Sequence, residues 1–349
     1  MQRKSNIELL RIIAMWYILV HHLIVHAVYP DVMTGQNGVT SEYAVYSILE
    51  GFLYVAVNVF ILISGYFGIK LRARRVWSLY LQCAFYGLLT YIFGVAIGVA
   101  PLVPHTFITK SILIFSHLSS WWFVVCYLML MVISPLINYG MQKMNKNEYV
   151  WVLACLTFVQ IYLGWFWQKS AYDISGYSFI NFIYVYLIGG YLHRYVSDRK
   201  PESIRKMAIL LYGGCALLFG ICNIVRVYFK IPFGNLWAYN NPIMIIGAIG
   251  LVLFLHSYKF QSNIVNRIGG GAFAAYLITD IPYVGDFLYP HYGEFSQSIP
   301  SIVFIVLVTF IAAAIVLSLA CAIDIIRVWA MKPIIGVFDW IDEWVIKCE

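Results

Sequence analysis

Residues 7–30 read IELLRIIAMWYILVHHLIVHAVYP. This stretch is long and apolar enough to cross a bilayer, because a hydrocarbon core of about 30 Å takes roughly 20 helical residues. Arg11 and His22 nevertheless lie within it, eleven residues apart, so they share one helix face about 16.5 Å apart along the axis. A charged side chain near the bilayer centre costs roughly 2.5 to 3.5 kcal/mol on insertion scales. Ionisable residues in such a helix therefore indicate a functional site.

The rest of the chain has the same membrane-like composition. Of 349 residues, 62% are hydrophobic and 11% are charged, and the mean hydropathy is +0.80, whereas a soluble domain has about 25% charged residues. We therefore predict an all-α, multi-pass protein that lies in a lipid bilayer. Apolar stretches predict ten transmembrane helices, near residues 7–28, 46–68, 76–99, 119–139, 148–167, 177–193, 207–228, 237–257, 269–289 and 299–326.

The lysines and arginines predict the orientation, because cytoplasmic loops are enriched in them. Of the 23 such residues, Arg11 lies inside the first span, four lie in the predicted outer segments and the other eighteen lie in the predicted inner ones. This distribution favours two cytoplasmic termini. It also accounts for the net charge of +7 without nucleic-acid binding. The outer four are Lys110, Lys169, Arg226 and Lys230.

The chain has one predicted membrane domain, residues 1–330, and a short cytoplasmic tail, residues 331–349. The first span is expected to be retained rather than cleaved as a signal peptide, because it is long and contains Glu8. The tail has apolar residues at helical spacing, which predicts either a helix on the inner surface or a segment packed on the loops. The cysteines have no C-x-x-C spacing, which is typical of apolar fillers, and Cys348 lies in the tail.

Three residues of the first span allow more than one interpretation. Arg11 is either a side chain that extends to the inner headgroups or a functional group, and Glu8, one turn earlier, is placed to pair with it. His22 lies too deep to reach the headgroups, so it is either a structural histidine or a catalytic base. His26 follows on the same face, and a metal site with His22 is the weaker alternative because no acidic or cysteine ligand is spaced to complete it. We expect no metal.

The second span carries Asn58 and Ser64, and Ser64-Gly65 permits close approach of another helix. Four cations follow within six residues. They are either an ordinary positive-inside anchor or a site for the phosphates of a nucleotide-like cofactor. The cations are Lys70, Arg72, Arg74 and Arg75.

Further polar and aromatic residues lie at predicted membrane depth. Glu50 lies at the level of His22 and His26, where its carboxylate is placed to orient an imidazole. Asp324 is expected to pair with Arg327. Trp122 begins the fourth span, either as an interfacial belt residue or as a ring that stacks on a sugar.

These motifs resemble one family. The opening ELLRIIA…HH, with Arg11 and His22 separated by ten residues, is similar to that of the bacterial membrane acyltransferases of the acyltransferase 3 family. The resemblance continues through Asn58 and Ser64-Gly65-Tyr66, the following arginines, SSWWFVVCYLMLMVISPLI at 119–137 and AAYLITDIPY at 274–283.

The resemblance implies transfer of an acyl group, often acetyl or succinyl, from cytoplasmic acyl-CoA to a hydroxyl of a cell-envelope glycan, at the bacterial cytoplasmic membrane. It implies that His22 is the catalytic histidine and Arg11 its partner. Glu50 is a further catalytic candidate because of its predicted depth, not because of the resemblance. Arg72, Arg74, Arg75 and Ser64 become candidates for binding acyl-CoA. The acceptor candidates are Asn58, Trp122, Tyr276 and Asp280.

One position departs from the family pattern. Where the family usually has a histidine after YLI, this chain has Thr279, followed by Asp280. This departure leaves open a membrane partner in polysaccharide assembly that has lost catalysis. Apart from it, the ten predicted spans, the abundant aromatic residues and buried ionisable residues that could line a pathway leave open an exporter or flippase for a polysaccharide.

Overall fold

The computed structural model describes residues 4–111, 121–168, 175–196, 201–231 and 235–347. Arg3, Ser119, Ser120, Lys169, Arg199, Lys200 and Cys348, on which some predictions rest, lie outside these ranges. Within them the chain is helical and has no β-strand. The α-helices are α1 Ser5–Leu23, α2 Ser41–Leu53, α3 Ala56–Phe67, α4 Ala73–Ala96, α5 Pro104–Ser111, α6 Trp122–Lys143, α7 Lys146–Thr157, α8 Phe179–Tyr195, α9 Pro201–Tyr228, α10 Pro242–His256, α11 Asn263–Gly271, α12 Phe273–Thr279, α13 Pro282–Gln297 and α14 Ile302–Lys347.

In the described ranges, three short helices of other types interrupt or extend this series. A π-helix, Ile24–Val28, continues α1 directly after the His21-His22 pair, and a second, Phe158–Phe166, continues α7. Pro30–Val32 forms a 3-10 turn. Single π-helical turns are frequent at functional sites. The change from α-helix to π-helix next to the histidines therefore indicates a functional site at that level of the bundle.

Seven helical segments of the described chain are long and apolar enough to cross a membrane. They confirm the all-α membrane fold. α8, with 17 residues, and α10, with 15, are the shorter counterparts of two other predicted spans. The seven are Ser5–Val28, Ser41–Phe67, Ala73–Ala96, Trp122–Lys143, Lys146–Phe166, Glu202–Tyr228 and Ile302–Phe338.

The segment 269–289, predicted as one span, is not a continuous helix. Its polypeptide is divided among α11, α12 and α13, and α12 ends at Thr279. The reason is local: Pro282 stands at the start of α13 and restricts the residue before it to extended backbone, which Ile281 adopts. The break places Asp280 between two helices, with its backbone outside either one.

Hydrogen bonds join the ends of several helices on one side of the bundle. We call this side the basic end. The Ser5 hydroxyl contacts Gln261 and Asn266, Tyr66 pairs with His256 at 2.9 Å, and Arg194 donates to the carbonyl of Met141. The lysine and arginine distribution predicted this grouping. That the basic end faces the cytoplasm stays a prediction.

Small residues allow the helices around the centre to approach closely. A Cβ added at Gly65 of α3 would overlap the backbone carbonyl of Tyr186 in α8, and one at Gly189 of α8 would overlap that of Leu62. Gly51 of α2 contacts the backbone of Ala216 in α9 in the same way. The close approach predicted at Ser64-Gly65 is therefore present, and α8 is the neighbour.

A buried ion pair within α14 is hydrogen-bonded to α4. Arg327 Nε donates to Asp324 Oδ1 at 2.6 Å, and the Tyr86 hydroxyl of α4 donates to the same oxygen at 2.8 Å. Asp324 is 3% exposed and Arg327 is 6% exposed. The predicted pairing of these two residues is confirmed.

Candidate active site

A cavity that is partly open to solvent lies between α1, the α2–α3 junction, α6, α12 and the loop before α10. Most of its wall is apolar or aromatic, and a few polar groups converge on it. The lining residues are Met15, Ile18, His21, His22, Leu53, Tyr54, Ala56, Val57, Phe60, Trp122, Phe123, Tyr239, Phe273, Tyr276 and Asp280.

Both histidines of the first helix line this cavity. His21 Nδ1 lies 2.7 Å from Glu50 Oε2 of α2. The side chain of Glu50 is fully buried and that of His21 is 12% exposed. The imidazole that Glu50 contacts is therefore that of His21, whereas the level of Glu50 alone had pointed to His22 or His26.

His22 has different surroundings. Its Nδ1 is buried and has no hydrogen-bond partner among the described residues. The ring centroid of His22 lies 5.7 Å from that of His21 and 5.6 Å from that of His26. His26 is exposed and stacks obliquely on Tyr289, with 5.0 Å between ring centroids, and it does not line the cavity.

Aromatic rings form one wall of the cavity. Tyr54 stacks on Tyr239 with a centroid distance of 4.8 Å and an interplanar angle of 7°, and Trp122 stacks on the same tyrosine at 5.4 Å and 23°. Asn58 does not line the cavity, but its Nδ2 donates to the Tyr239 carbonyl at 2.9 Å. Asn58 thus holds the loop that carries Tyr239 in place.

The break after α12 supplies the carboxyl group of the cavity. Asp280 lines it together with Tyr276, which lies one helical turn earlier. Thr279 is 3% exposed, and its hydroxyl donates to the Ala275 carbonyl at 2.9 Å. Thr279 is absent from the cavity wall, so the polar residue that this segment presents there is Asp280.

Arg11 lies on the same face of α1 as His22, on the side of the cavity nearer the basic end. Its Nη1 contacts Glu8 Oε1 at 2.7 Å, and its side chain is 38% exposed, so the predicted pairing is present. Met15 and Ile18 follow it at helical spacing and line the cavity. Arg11 therefore lies one turn beyond the lower edge of the cavity, at the basic end.

The basic segment 70–75 follows α3 and runs into the first turn of α4. Arg72, Arg74 and Arg75 are exposed, and Arg75 donates to the Lys70 carbonyl at 3.1 Å. Ser64 donates to the Phe60 carbonyl and lies 3.3 Å from the Tyr127 hydroxyl. None of these four candidate donor-binding residues contacts the cavity itself.

Among the candidates from sequence, the cavity brings together His22, Trp122, Tyr276 and Asp280. Sequence reasoning missed His21, Tyr54 and Tyr239. Tyr54 stands one helical turn after Glu50, a spacing that would have placed both on one face. Tyr239 lies in a short loop, and no periodicity indicates where such a residue points.

Within the described residues, no group of three or more histidine, cysteine, aspartate or glutamate side chains is placed to hold a metal ion. No curated protein and no solved structure gives a significant match to this chain. A protein-family model of an acyltransferase domain matches residues 4–321, which is nearly the whole chain and includes every residue of the cavity. The chain therefore belongs to the acyltransferase 3 family and is a membrane acyltransferase.

Proposed function

We propose that this acyltransferase moves an acetyl or succinyl group from cytoplasmic acyl-CoA to a hydroxyl of a cell-envelope polysaccharide or of its lipid-linked precursor. The observation that carries the proposal is the cavity itself. It combines a carboxyl group, stacked aromatic rings and a histidine nitrogen that has no hydrogen-bond partner among the described residues. A bacterial cytoplasmic membrane is the location that this donor and this acceptor require.

The donor enters from the basic end. Arg72, Arg74 and Arg75 offer exposed guanidinium groups, which suit the phosphates of CoA because each can donate two parallel hydrogen bonds to phosphate oxygens. From Phe67 at the end of α3 to Phe60 on the cavity wall, the helix rises about 10.5 Å. The pantetheine arm spans this distance along apolar side chains, and Arg11 stands beside the same entrance.

The acceptor occupies the aromatic side of the cavity. The stack formed by Tyr54, Tyr239 and Trp122 gives that side an aromatic surface, which suits the apolar face of a sugar ring. Tyr276 and Asp280 offer hydrogen bonds to the sugar's hydroxyl groups. Aromatic walls with a few convergent polar groups are typical of small-molecule sites. We expect Asp280 to act in the cavity where the family's usual histidine would otherwise act.

His22 acts as the general base. It removes the proton of the acceptor hydroxyl while the oxygen attacks the thioester carbonyl, and the departing sulfur of CoA receives the proton. Its depth in the bundle, about 16.5 Å from Arg11 along α1, meets the need for a reaction centre between a donor on one side and an acceptor on the other.

The test uses purified protein in lipid nanodiscs with acetyl-CoA or succinyl-CoA as donor and the cell's extracted envelope glycan as acceptor. We expect glycan-dependent thiol release that His22→Ala abolishes, while His26→Ala, on the same helix but outside the cavity, keeps it. Unchanged transfer by folded His22→Ala would contradict the mechanism. Movement of glycan without thiol release would instead identify an exporter, and no thiol release with any acyl donor would identify an inactive assembly partner.

A further inference from the structure

Two adjacent histidines reach the same cavity from α1 with unlike surroundings. Consecutive residues of an α-helix point about 100° apart, so both rarely face one site. Here the cavity lies where α2 and α12 both meet α1, and both rings line it. The family motif accounts for His22 alone, which leaves the role of His21 open.

The contact with Glu50 determines what His21 can do. A fully buried carboxylate needs a compensating positive charge or several hydrogen bonds. Among the described residues, Glu50 Oε1 has no hydrogen-bond partner, and Oε2 has His21 Nδ1 at 2.7 Å. The Nδ1–H of His21 is therefore the donor to Glu50, in a hydrogen bond that a carboxylate acceptor strengthens. In the scheme below His21 also carries a hydrogen on Nε2, and that N–H is the group available to a molecule in the cavity.

His22 has no such partner. No carboxylate contacts it in the described part of the chain, and its Nδ1 is unpaired. The ring centroid of His21 lies 5.7 Å away, and positive charges on both rings at once would repel each other strongly where water is scarce. Because the Glu50 carboxylate contacts His21 and not His22, the scheme assigns the neutral imidazole, which can accept a proton, to His22.

We propose that the two histidines divide the reaction, an inference that rests on the proposed function: His22 is the general base, and His21, held by Glu50, stabilises the oxyanion. The acceptor oxygen loses its proton to His22 and forms a bond to the thioester carbon. The carbonyl oxygen, now negative, accepts a hydrogen bond from His21 Nε2–H. The carbonyl then re-forms, the carbon–sulfur bond breaks, and the sulfur leaves with the electron pair and receives the proton from His22.

In this scheme His21 is a catalytic residue that donates throughout, and Glu50 is a positioning residue that acts through it. The competing assignment makes His21 and Glu50 the base, as in a histidine–carboxylate pair of a hydrolase. The two assignments differ in which chemical group can replace the imidazole. A glutamine amide can donate a hydrogen bond, but it cannot accept the proton of a hydroxyl group.

The experiment therefore compares glutamine and alanine at both positions, with acetyl-CoA as donor and the extracted envelope glycan as acceptor. We expect His21→Ala to lower kcat by about 10² to 10³-fold, the usual loss for an oxyanion donor, with KM unchanged. His21→Gln should recover most of this loss. At position 22, glutamine and alanine should be equally inactive. His26→Gln is the matched control and should retain the wild-type rate.

Glu50 is tested in two backgrounds. Glu50→Gln should lower kcat in the wild-type chain but have no further effect in His21→Gln, because the amide does not need the carboxylate. Yield, monodispersity and thermal stability in detergent check that each variant is folded. A folded His21→Gln that is as inactive as His21→Ala, or a His21→Ala that keeps full activity, would overturn this proposal alone. Full activity of His22→Ala would overturn the proposed function as well.

Discussion

The Asn58 side chain donates a 2.9 Å hydrogen bond to the backbone carbonyl of Tyr239, which lies 181 residues later in the chain. Asn58 is fully buried in α3, and Tyr239 is 6% exposed on the cavity wall. One amide thus fixes the loop before α10 against α3. The stack of Trp122 and Tyr54 on Tyr239 depends on that attachment.

We expect Asn58→Ala to raise the KM for the glycan acceptor and leave the KM for acyl-CoA unchanged, because the released loop displaces Tyr239. It should also lower stability by about 1 to 3 kcal/mol, the cost of an unpaired buried carbonyl. Asn6→Ala is the matched control, since Asn6 donates to the Leu255 carbonyl at the basic end. It should lower stability and leave the acceptor KM unchanged. Equal KM values for the glycan acceptor in Asn58→Ala and Asn6→Ala would contradict this role of Asn58.

The basic segment 70–75 is predicted to bind phosphate groups. Arg74→Ala and Arg75→Ala should each raise the KM for acetyl-CoA about tenfold to a hundredfold, because hydrogen bonds to charged groups contribute about 1.5 to 3 kcal/mol and 1.4 kcal/mol corresponds to tenfold. The measurement is repeated with acetyl-pantetheine, which lacks the nucleotide and its phosphates. With that donor the variants should equal the wild type. A loss of equal size with both donors would exclude phosphate binding, and Lys143→Ala controls for general charge loss at this end.

The buried pair of Asp324 and Arg327 is predicted to matter for stability and not for catalysis. Asp324→Ala leaves the Arg327 guanidinium buried without its carboxylate, and removal of one partner of such a pair costs about 3 to 5 kcal/mol. We expect a lower unfolding temperature in detergent, which the double variant Asp324→Leu with Arg327→Leu partly restores. If the single and double variants unfold at the same temperature, the unpaired Arg327 charge does not explain the loss of stability.

Gly65 is predicted to set the distance between α3 and α8. Gly65→Ala places a methyl group on the Tyr186 carbonyl, which should cost about 1 to 3 kcal/mol by overpacking. Gly214→Ala is the control, because no atom lies within 4 Å of a Cβ at that helical position. Thermal unfolding in detergent should show a loss for Gly65→Ala and none for Gly214→Ala. Equal unfolding temperatures would mean that the helices adjust freely.

Thr279→His restores the family's usual residue and is predicted not to raise activity. Thr279 is buried and hydrogen-bonded to the turn before it, outside the cavity wall, so a larger imidazole has no space there and does not reach the cavity. We expect lower yield and stability with no gain in kcat, whereas Asp280→Ala should abolish acceptor-dependent turnover. A more active Thr279→His would show that this position reaches the reacting atoms.

Much of the fold followed from composition and charge. A chain with 11% charged residues and repeated apolar stretches of spanning length has no soluble alternative. The pairs Glu8–Arg11 and Asp324–Arg327 were predictable because each partner lies three residues from the other on one helix. The break at residues 280–282 was not foreseen, although Pro282 was visible, because an apolar stretch of sufficient length masks a short interruption.

The amino-acid sequence by itself determined that this protein is a helical membrane acyltransferase and that His22 and Arg11 share a face of its first helix. Periodicity decides such relations within one helix. The tertiary structure alone decided that Glu50 contacts His21, that Asn58 holds Tyr239, and that Asp280 rather than Thr279 reaches the cavity. These relations join different helices, and the rotation of one helix against another depends on side-chain packing that no single stretch of sequence contains.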